Sequence, residues 1–398
     1  MKKNAIAIEI SHKFIKIAFG FVQDERVYLN YVKKVNINHL LENGAIKEKN
    51  ELIKELSRVN PVVDQEYLVN YLINNVSFVL PPYGLEVYQT SQLTSVTSPE
   101  KEIGEIDIVN LYSMIRNKKL PVDNVLIDII PESFAIDNGN MYAQAPLGKF
   151  SSAITAHAKV YTVPRRIDEE YSAILKAANI QIKRKVASTF ASSELLASYK
   201  DVPQTYFLVD IGSDSTSVSL IGNKTLFATR TFSWGGDKIT DRIISAFNIS
   251  EKDAEKIKIM FGLDKRELKF NYVVSSNESE FGDNKHIIDE LNSIIESELD
   301  EFYKSFIVAI DELCKAYNVS DYTKLPLLLI GGGSKLKGLI PFLADKSSFN
   351  DIRLMTPNSI GGRDPSLFGV LGAIYIEHKY PSMVKVNKTQ TSNVSREE

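Results

Sequence analysis

The fold is decided by the stretch Val209-Asp210-Ile211-Gly212-Ser213-Asp214-Ser215-Thr216. Asp210 lies near the end of an apolar strand, and small residues then form a turn. The backbone N–H groups of such a turn can cradle an anion, and Gly212 lets a phosphate approach closely. Asp210 would hold Mg²⁺ through water. Read alone, the pattern also fits a plain hairpin. The predicted phosphate contacts are Gly212, Ser213, Asp214, Ser215 and Thr216.

A similar strand–turn–strand pattern opens the chain between Ala5 and Phe21. Glu9 occupies the position of Asp210 as a second candidate metal ligand. Ser11 and His12 form the turn, and Lys16 could reach a phosphate as a point charge. A simple hairpin with a solvated lysine fits as well. The repetition predicts two lobes, each opened by a similar hairpin.

Glycines mark two further segments that could contact a ligand. Gly331, Gly332 and Gly333 follow the apolar strand Leu327-Leu328-Leu329-Ile330 and permit flat packing against a purine or ribose. The spacing of a dinucleotide-binding Rossmann motif is absent. Gly235 and Gly236 precede a helix, whose N-terminus would attract an anion.

Glu255 and Lys258 lie three residues apart on one face of a predicted helix. They could frame an adenosine or form a solvated ion pair, and the sequence leaves both possibilities open.

Composition limits the class of protein. A chain of 398 residues should form two or more packed units. The net charge of -3 argues against nucleic acid as a partner. The single cysteine, Cys314, indicates a reducing compartment, and the five histidines lack metal-ligand spacing. Neither a secretory signal nor an apolar stretch of about 20 residues is visible, so we expect a cytoplasmic or peripheral protein.

The order of elements predicts an insertion in the first lobe. Residues 85–160 combine a helix candidate at 106–117 with short strands, including 124–131, 134–137 and 141–144, as expected of a small α+β unit. Residues 235–318 are mostly helical, with a strand-like island at 270–275. The predicted domains are lobe 1 (1–82 and 163–205), an insert (83–162), lobe 2 (206–383, with a subdomain at about 236–318) and a polar, disordered tail (384–398).

The order of the motifs looks like that of actin, the heat-shock chaperone ATPases and the sugar kinases. Other stretches resemble the bacterial cell division family FtsA, and the resemblance covers about residues 5–380. These stretches are Asn43-Gly44-Ala45-Ile46-Lys47, Ile130-Pro131-Glu132-Ser133-Phe134-Ala135-Ile136-Asp137, Ala145-Pro146-Leu147-Gly148, Ala191-Ser192-Ser193-Glu194, Ile360-Gly361-Gly362-Arg363-Asp364-Pro365-Ser366 and Leu371-Gly372.

This resemblance implies an α/β, actin-like two-lobed ATPase fold built from duplicated ribonuclease-H-like domains, with an inserted SHS2-like 1C subdomain. It also implies binding of ATP and Mg²⁺, self-assembly into filaments, and linkage of the tubulin-like FtsZ ring to the membrane. The 1C subdomain would recruit other division proteins, and the region 235–318 would include the FtsZ-docking face. The expected location is the inner face of the cell membrane at the division site.

The sequence departs from the family pattern at both hairpins. Glu9, Ser11 and His12 stand where the family has aspartate, glycine and a hydroxyl residue. Ser213 and Asp214 replace common glycines, and the added carboxylate would repel phosphate unless Mg²⁺ or Lys16 intervenes.

Two further departures bear on hydrolysis and on the membrane. Ser188 and Thr189 stand near the position of a water-orienting glutamate or glutamine in related filament proteins, which predicts slow or absent hydrolysis. The tail lacks the aromatic anchor of an interfacial helix, which predicts weak or indirect membrane contact.

Two alternatives share the fold. A PilM-like pilus-assembly scaffold would bind a short peptide of a membrane protein. A sugar-kinase-type phosphotransferase would need a carboxylate base beside a sugar pocket, and the sequence offers none that we can name. Fold alone does not assign function, so the choice rests on the family-specific stretches.

Overall fold

The computed structural model of the chain describes residues 4–37, 40–42, 44–60, 62–64, 69–71, 73–121, 123–263 and 284–380. The first lobe begins with β1 (Ala5–Ile10), β2 (Phe14–Gln23), β3 (Arg26–Asn36), β4 (Leu41–Glu42), β5 (Ala45–Ile46), α1 (Lys49–Arg58), β6 (Val62–Asp64), β7 (Val69–Tyr71) and β8 (Val76–Leu80). The insert contains β9 (Glu86–Ser95), α2 (Glu105–Arg116), β10 (Asn124–Ile136), β11 (Met141–Tyr142) and β12 (Ala153–Pro164).

The chain then completes the first lobe with α3 (Arg165–Ala177), β13 (Ile182–Ala187) and α4 (Ser188–Ala197). The second lobe contains β14 (Tyr206–Ile211), β15 (Thr216–Gly222), β16 (Thr225–Phe232), α5 (Gly236–Phe247), α6 (Glu251–Phe261), α7 (Asn284–Tyr317), β17 (Leu327–Ile330), α8 (Leu339–Lys346) and β18 (Ile352–Leu354). The last element is α9 (Phe368–Lys379).

The two lobes have the same sheet topology. The first sheet has the order β13-β8-β1-β2-β3, and the second has the order β16-β15-β14-β17-β18. In each sheet the hairpin strands pair antiparallel, and the first of them pairs parallel with a strand from later in the chain. This duplication confirms the predicted actin-like α/β architecture.

Strand β14 lies between two apolar cores, as its unbroken apolar sequence predicts. Tyr206 and Leu208 pack in the core of the first lobe, whereas Phe207, Val209 and Ile211 pack in the core of the second. Because side chains alternate along a strand, the strand presents apolar groups to both. Asp210 interrupts the apolar run one residue before the end of the strand and borders the cleft.

The insert is a four-stranded antiparallel sheet in the order β11-β10-β12-β9, with α2 packed against it. The sequence predicted separate strands at 124–131 and 134–137, and this was wrong, because β10 is continuous through both. Its pairing with β12 shifts register between Pro131 and Ser133. Such a bulge accommodates proline, which lacks the N–H needed for the ladder.

Helix α9 packs against β1, β2 and α4 of the first lobe. Its residues Phe368, Leu371 and Ile374 belong to the first core. The predicted boundary, which placed all of 206–383 in lobe 2, was therefore wrong for this helix. The helix is apolar on every face, and its pattern carried no information about which lobe it covers.

Two predictions fall outside the described residues: the strand-like island at 270–275 and the polar tail at 384–398. Among the residues that are described, the helices are all too short or too polar to cross a bilayer.

Candidate functional site

A cavity of about 580 Å³ lies between the two lobes, a volume typical of small-molecule sites. The two sequence-predicted hairpins and the glycine segment after β17 all border it. Fifteen of the predicted residues line it: Glu9, Ser11, His12, Lys16, Asp210, Gly212, Ser213, Asp214, Ser215, Gly236, Glu255, Lys258, Gly331, Gly332 and Gly333.

Thr216 is the exception. Its side chain is fully buried, and its hydroxyl donates to the Trp234 carbonyl at 2.8 Å. The prediction that Thr216 contacts a ligand was wrong, because the first residue of β15 turns inward to fix the hairpin against the following segment.

The first hairpin places a buried ion pair at the floor of the cleft. Glu9 and Lys16 are cross-strand partners in β1 and β2, and Lys16 Nζ lies 2.6 Å from Glu9 Oε1. Lys16 also donates to the Ser366 carbonyl at 2.8 Å. The other carboxylate oxygen, Glu9 Oε2, is buried without a hydrogen-bond partner in the described structure. A buried acceptor of this kind is costly unless a ligand, water or ion satisfies it.

The second hairpin holds its turn with a bond from the Gly212 N–H to the Ser215 carbonyl at 2.9 Å. Asp210 stands at its base. Burial raises the pKa of Asp210 to about 6; the nearby Lys16 charge opposes this rise, and the Glu9 charge adds to it. The Glu9 charge therefore lies near enough to Asp210 to disfavour its ionisation.

Asp210 and Glu9 do not form a complete protein cage for a metal. Within the described ranges, no group of three or more His, Cys, Asp or Glu side chains is placed to hold an ion. Mg²⁺ commonly takes one or two carboxylates and completes its shell with water and substrate phosphate. The donor set therefore fits a magnesium ion only together with a phosphorylated ligand.

The N-terminus of α5 is less open than the sequence predicted. The Gly236 N–H donates to the Gly212 carbonyl at 3.0 Å, and the Asp237 N–H donates to Ser213 at 2.8 Å. These amides therefore brace the second hairpin and are not directed at an anion. Gly236 still borders the cavity, and its carbonyl accepts a bond from Lys258 Nζ at 3.0 Å.

Glu255 and Lys258 form a hydrogen-bonded network beside Gly236, in which Lys258 is buried and Glu255 is partly exposed. Lys258 Nζ lies 2.7 Å from Glu255 Oε2 and 2.8 Å from the Thr240 hydroxyl. Although burial acts to raise the pKa of Glu255, the Lys258 charge and hydrogen bond lower it overall. The pair is held rigidly at the cleft wall.

The glycine segment after β17 bends sharply at Gly331, whose φ is +88°. A Cβ there would collide with Asp210 and with the Ile211 backbone, so only glycine fits. Gly332 has nothing nearer than 3.9 Å to its open face, and it presents bare backbone to the cavity. Flat backbone beside Lys335 and Ile259 suits the planar end of a nucleotide.

Sequence reasoning missed several residues that border the same cavity. Lys13 and Asp237 are adjacent to predicted residues, and Tyr83 follows the Pro81-Pro82 end of β8. Their side chains meet only when the lobes are assembled: Lys13 Nζ lies 2.9 Å from Asp237 Oδ1, and the Tyr83 hydroxyl lies 3.2 Å from Asp214 Oδ2. Ser188, which the sequence had already singled out, begins α4 and also lines the cavity; its buried hydroxyl lacks a partner in the described residues.

The cleft therefore fits a polar, phosphorylated ligand. Glu9 Oε2, His12 Nδ1 and the Ser188 hydroxyl are buried polar atoms that have no hydrogen-bond partner among the described residues. All three belong to residues that line the cavity. The residues present would let a nucleotide lie with its phosphates between the hairpins.

Comparison with protein families gives two matches. Residues 207–372 match the model described as cell division protein FtsA. Residues 84–162, which form the insert, match the model described as the SHS2 domain inserted in FtsA. Together the two matches span well over half of the chain, and the insert model is specific to this family.

The chain belongs to the FtsA family. It is 26% identical to the cell division protein FtsA of Enterococcus faecalis over 344 residues, which is 84% of this chain and 74% of that protein. The family resemblance predicted from the sequence is thus confirmed.

Solved structures agree on the fold. The PilM–PilN type IV pilus biogenesis complex has a TM-score of 0.59 at 17% identity, covering 94% of this chain and 98% of that one. ADP-bound MreB5 of Spiroplasma citri has a TM-score of 0.53 at 12% identity, covering 95% and 97%. At these identities the likeness concerns the fold alone, and the predicted actin-like fold is confirmed.

Proposed function

We propose that this FtsA-family chain is an ATP-binding scaffold of the division machinery. It links the FtsZ ring to the membrane-associated division apparatus and self-assembles into filaments. The proposal of nucleotide binding rests on one observation. The two hairpins border the same cavity, and Glu9, Lys16 and Asp210 lie close together in its lining. Membership of the FtsA family supports the division role.

Within this proposal the cleft residues have separate roles. Lys16 and the turn amides of residues 212–215 would bind phosphate, and Asp210 and Glu9 would position Mg²⁺ through water. The Gly331–Gly333 segment and the Glu255–Lys258 network would border adenosine. Mg²⁺, when bound, would neutralise phosphate charge. Hydrolysis would be slow or absent, since Ser188 and Thr189 offer no carboxylate or amide to orient a water.

Partner contacts would lie outside the cleft. The SHS2 insert carries exposed apolar side chains, among them Leu93, Met141 and Phe150, which suit subunit contacts and recruitment of other division proteins. FtsZ would dock on the helical part of the second lobe. We place the protein at the inner face of the membrane at the division site, reached indirectly through partners.

The deciding experiment is co-sedimentation of the full chain with FtsZ polymers, with and without MgATP. We expect the chain in the FtsZ pellet, with more of it when MgATP is present. Sedimentation of the chain alone provides the control for its own filaments. If the chain stays in the supernatant under both conditions, the FtsZ-linking role is refuted.

A further inference from the structure

A buried lysine joins the insert to the second lobe. The insert interrupts the first lobe in the chain, yet the side chain of Lys159 in β12 is only 3% exposed because it enters the second lobe. Its Nζ donates to the Thr225 hydroxyl at 2.6 Å and to the Leu226 carbonyl at 2.9 Å. Both acceptors belong to β16, the edge strand of the second sheet. A buried charge is costly unless it is hydrogen-bonded and paired, so these contacts hold the lysine in place.

Two irregular strand pairings meet at this lysine. The pairing of β10 with β12 shifts register at Glu132, and the pairing of β15 with β16 shifts register at Phe227. Glu132 Oε1 lies 3.5 Å from Lys159 Nζ, and the centroid of the Phe227 ring lies 4.5 Å from it. A bulge can re-aim a side chain in this way, and a cation over an aromatic face is attracted by the ring. The charge of Lys159 is therefore met from both the insert and the second lobe.

The second lobe fixes its side of this contact by itself. The Tyr317 ring of α7 packs edge-on against Phe227, with the ring centroids 5.7 Å apart, and the Tyr317 hydroxyl donates to the Phe227 carbonyl at 3.1 Å. The Phe227 ring also lies so close to Gly222 that a Cβ there would be 2.7 Å from it. The Thr225 hydroxyl donates to the Gly222 carbonyl at 3.0 Å, which leaves its oxygen to accept from the lysine. We call Thr225, Leu226 and Phe227 the socket.

The insert is anchored to the first lobe at a different point. Arg184 of β13 lies 2.7 Å from the Asp128 carboxylate of β10, and it also donates to the Tyr380 carbonyl at 2.6 Å. The side chains of Arg184 and Asp128 are 11% and 13% exposed. The insert thus contacts each lobe through a sheltered cation, and Lys159 provides the contact with the second lobe.

We propose that Lys159 is a latch that fixes the orientation of the SHS2 insert relative to the second lobe. The second lobe then sets the direction in which the insert presents its exposed apolar side chains, among them Leu93, Met141 and Phe150. Without the latch, the insert would tilt on its connections to the first lobe. The latch is a property of the fold and does not depend on the ligand that the cleft takes.

Distances between two spin labels on the full chain test the proposal. The exposed positions Glu100→Cys in the insert and Lys315→Cys on α7 carry the labels, and Cys314→Ser removes the single native thiol. We expect one narrow distance distribution in this parent protein. Lys159→Met keeps an unbranched side chain but removes its charge, and the narrow distribution should be lost and replaced by a broad one. Lys149→Met, at an exposed lysine of the same insert, should leave the distribution as in the parent.

Three results would overturn the latch: a parent-like distribution in folded Lys159→Met, a broad distribution in the parent itself, or equal broadening in Lys149→Met. Thermal unfolding verifies that each variant is folded. If Lys159→Met does not fold, Phe227→Leu decides from the socket side, because it removes the ring and keeps the lysine; a broad distribution supports the latch and a parent-like one refutes it. Neither nucleotide nor FtsZ enters the measurement, so its failure leaves the proposed function intact.

Discussion

Asp210 has a specific place among the cleft residues, because it lies at the end of β14 and shares the floor with Glu9 and Lys16. We expect Asp210→Ala to weaken MgATP binding by about tenfold or more, since loss of a group that orients a metal's water shell typically has that effect. Binding of ATP without metal should fall much less. Calorimetry with Mg²⁺ and with EDTA measures both, with Asp345→Ala as the control. Equal losses in the two buffers would contradict a role on the metal side.

Asp364 shows how charge fixes the segment before α9. Burial acts to raise the pKa of Asp364, but hydrogen bonds from Lys34 and the Ser366 N–H, and the charges of Lys34 and Lys335, hold it well below its usual range. A lowered folded-state pKa means that the ionised group stabilises the fold at neutral pH. That contribution is lost as the pH falls from about 4 toward the lowered value.

We therefore expect Asp364→Asn to lower the free energy of unfolding at pH 7 by about 1.5–3 kcal/mol, the usual range for a hydrogen bond to a charged group. The difference from wild type should shrink as the pH falls below about 4. Urea denaturation at pH 7, 5 and 3 measures it, beside Asp345→Asn. A difference that grows toward acid pH would contradict this account.

The role of a residue could be predicted from the sequence only where the residues that create it are adjacent in the chain. Asp210, Gly212 and the glycines after β17 were found because strand, charge and turn lie next to one another in the chain. Lys16 donates to the Ser366 carbonyl, 350 residues away, and Lys13 donates to Asp237, 224 residues away. Such contacts depend on how the lobes assemble, and no spacing in the sequence records them.

Helices α4 and α9 illustrate packing at the scale of elements. Gly372 of α9 faces the backbone of Ala191 in α4, and a Cβ at this position would lie far inside van der Waals contact with the Ala191 carbonyl. Glycine is weak in helices, so its use here reflects the close approach of two backbones. Both helices belong to the core of the first lobe.

Gly372→Ala should therefore destabilise the protein although alanine is the better helix former. We expect a loss of about 1–3 kcal/mol, the range for overpacking a core. Gly104→Ala is the matched control, because a Cβ there would meet nothing closer than 3.9 Å. Thermal unfolding compares the two. A Gly372→Ala protein as stable as wild type would show that the helices can separate freely.

Helices and strands were predicted well wherever the hydrophobic pattern of the sequence was strong. The helix predicted at 106–117 and the strand predicted at 327–330 agree with α2 and β17 to within one residue. The continuity of β10 was missed because Pro131 and Glu132 read as a break, and only pairing with β12 carries the strand across it. The lobe to which α9 belongs was missed because a helix that is apolar all round can pack on any core.

At the scale of the whole molecule, the lobes meet through charged groups at the cleft mouth. If the Lys13–Asp237 ion pair and the Tyr83–Asp214 hydrogen bond hold them together, Asp214→Asn/Asp237→Asn should increase the radius of gyration measured by small-angle X-ray scattering without nucleotide. High salt should produce part of the same expansion in the wild type, because these pairs are partly exposed and screening weakens them. Asp345→Asn serves as the control. A double variant as compact as wild type would show that these two contacts do not hold the lobes together.

The return of α9 to the first lobe has a consequence for biosynthesis. Gly369 packs directly over the Glu9 carboxylate, and Phe368, Val370 and Ile374 complete the core under β1 and β2. N-terminal segments usually fold first as they emerge from the ribosome. Here the core under the first strands is completed only after a helix translated more than 340 residues later packs against them.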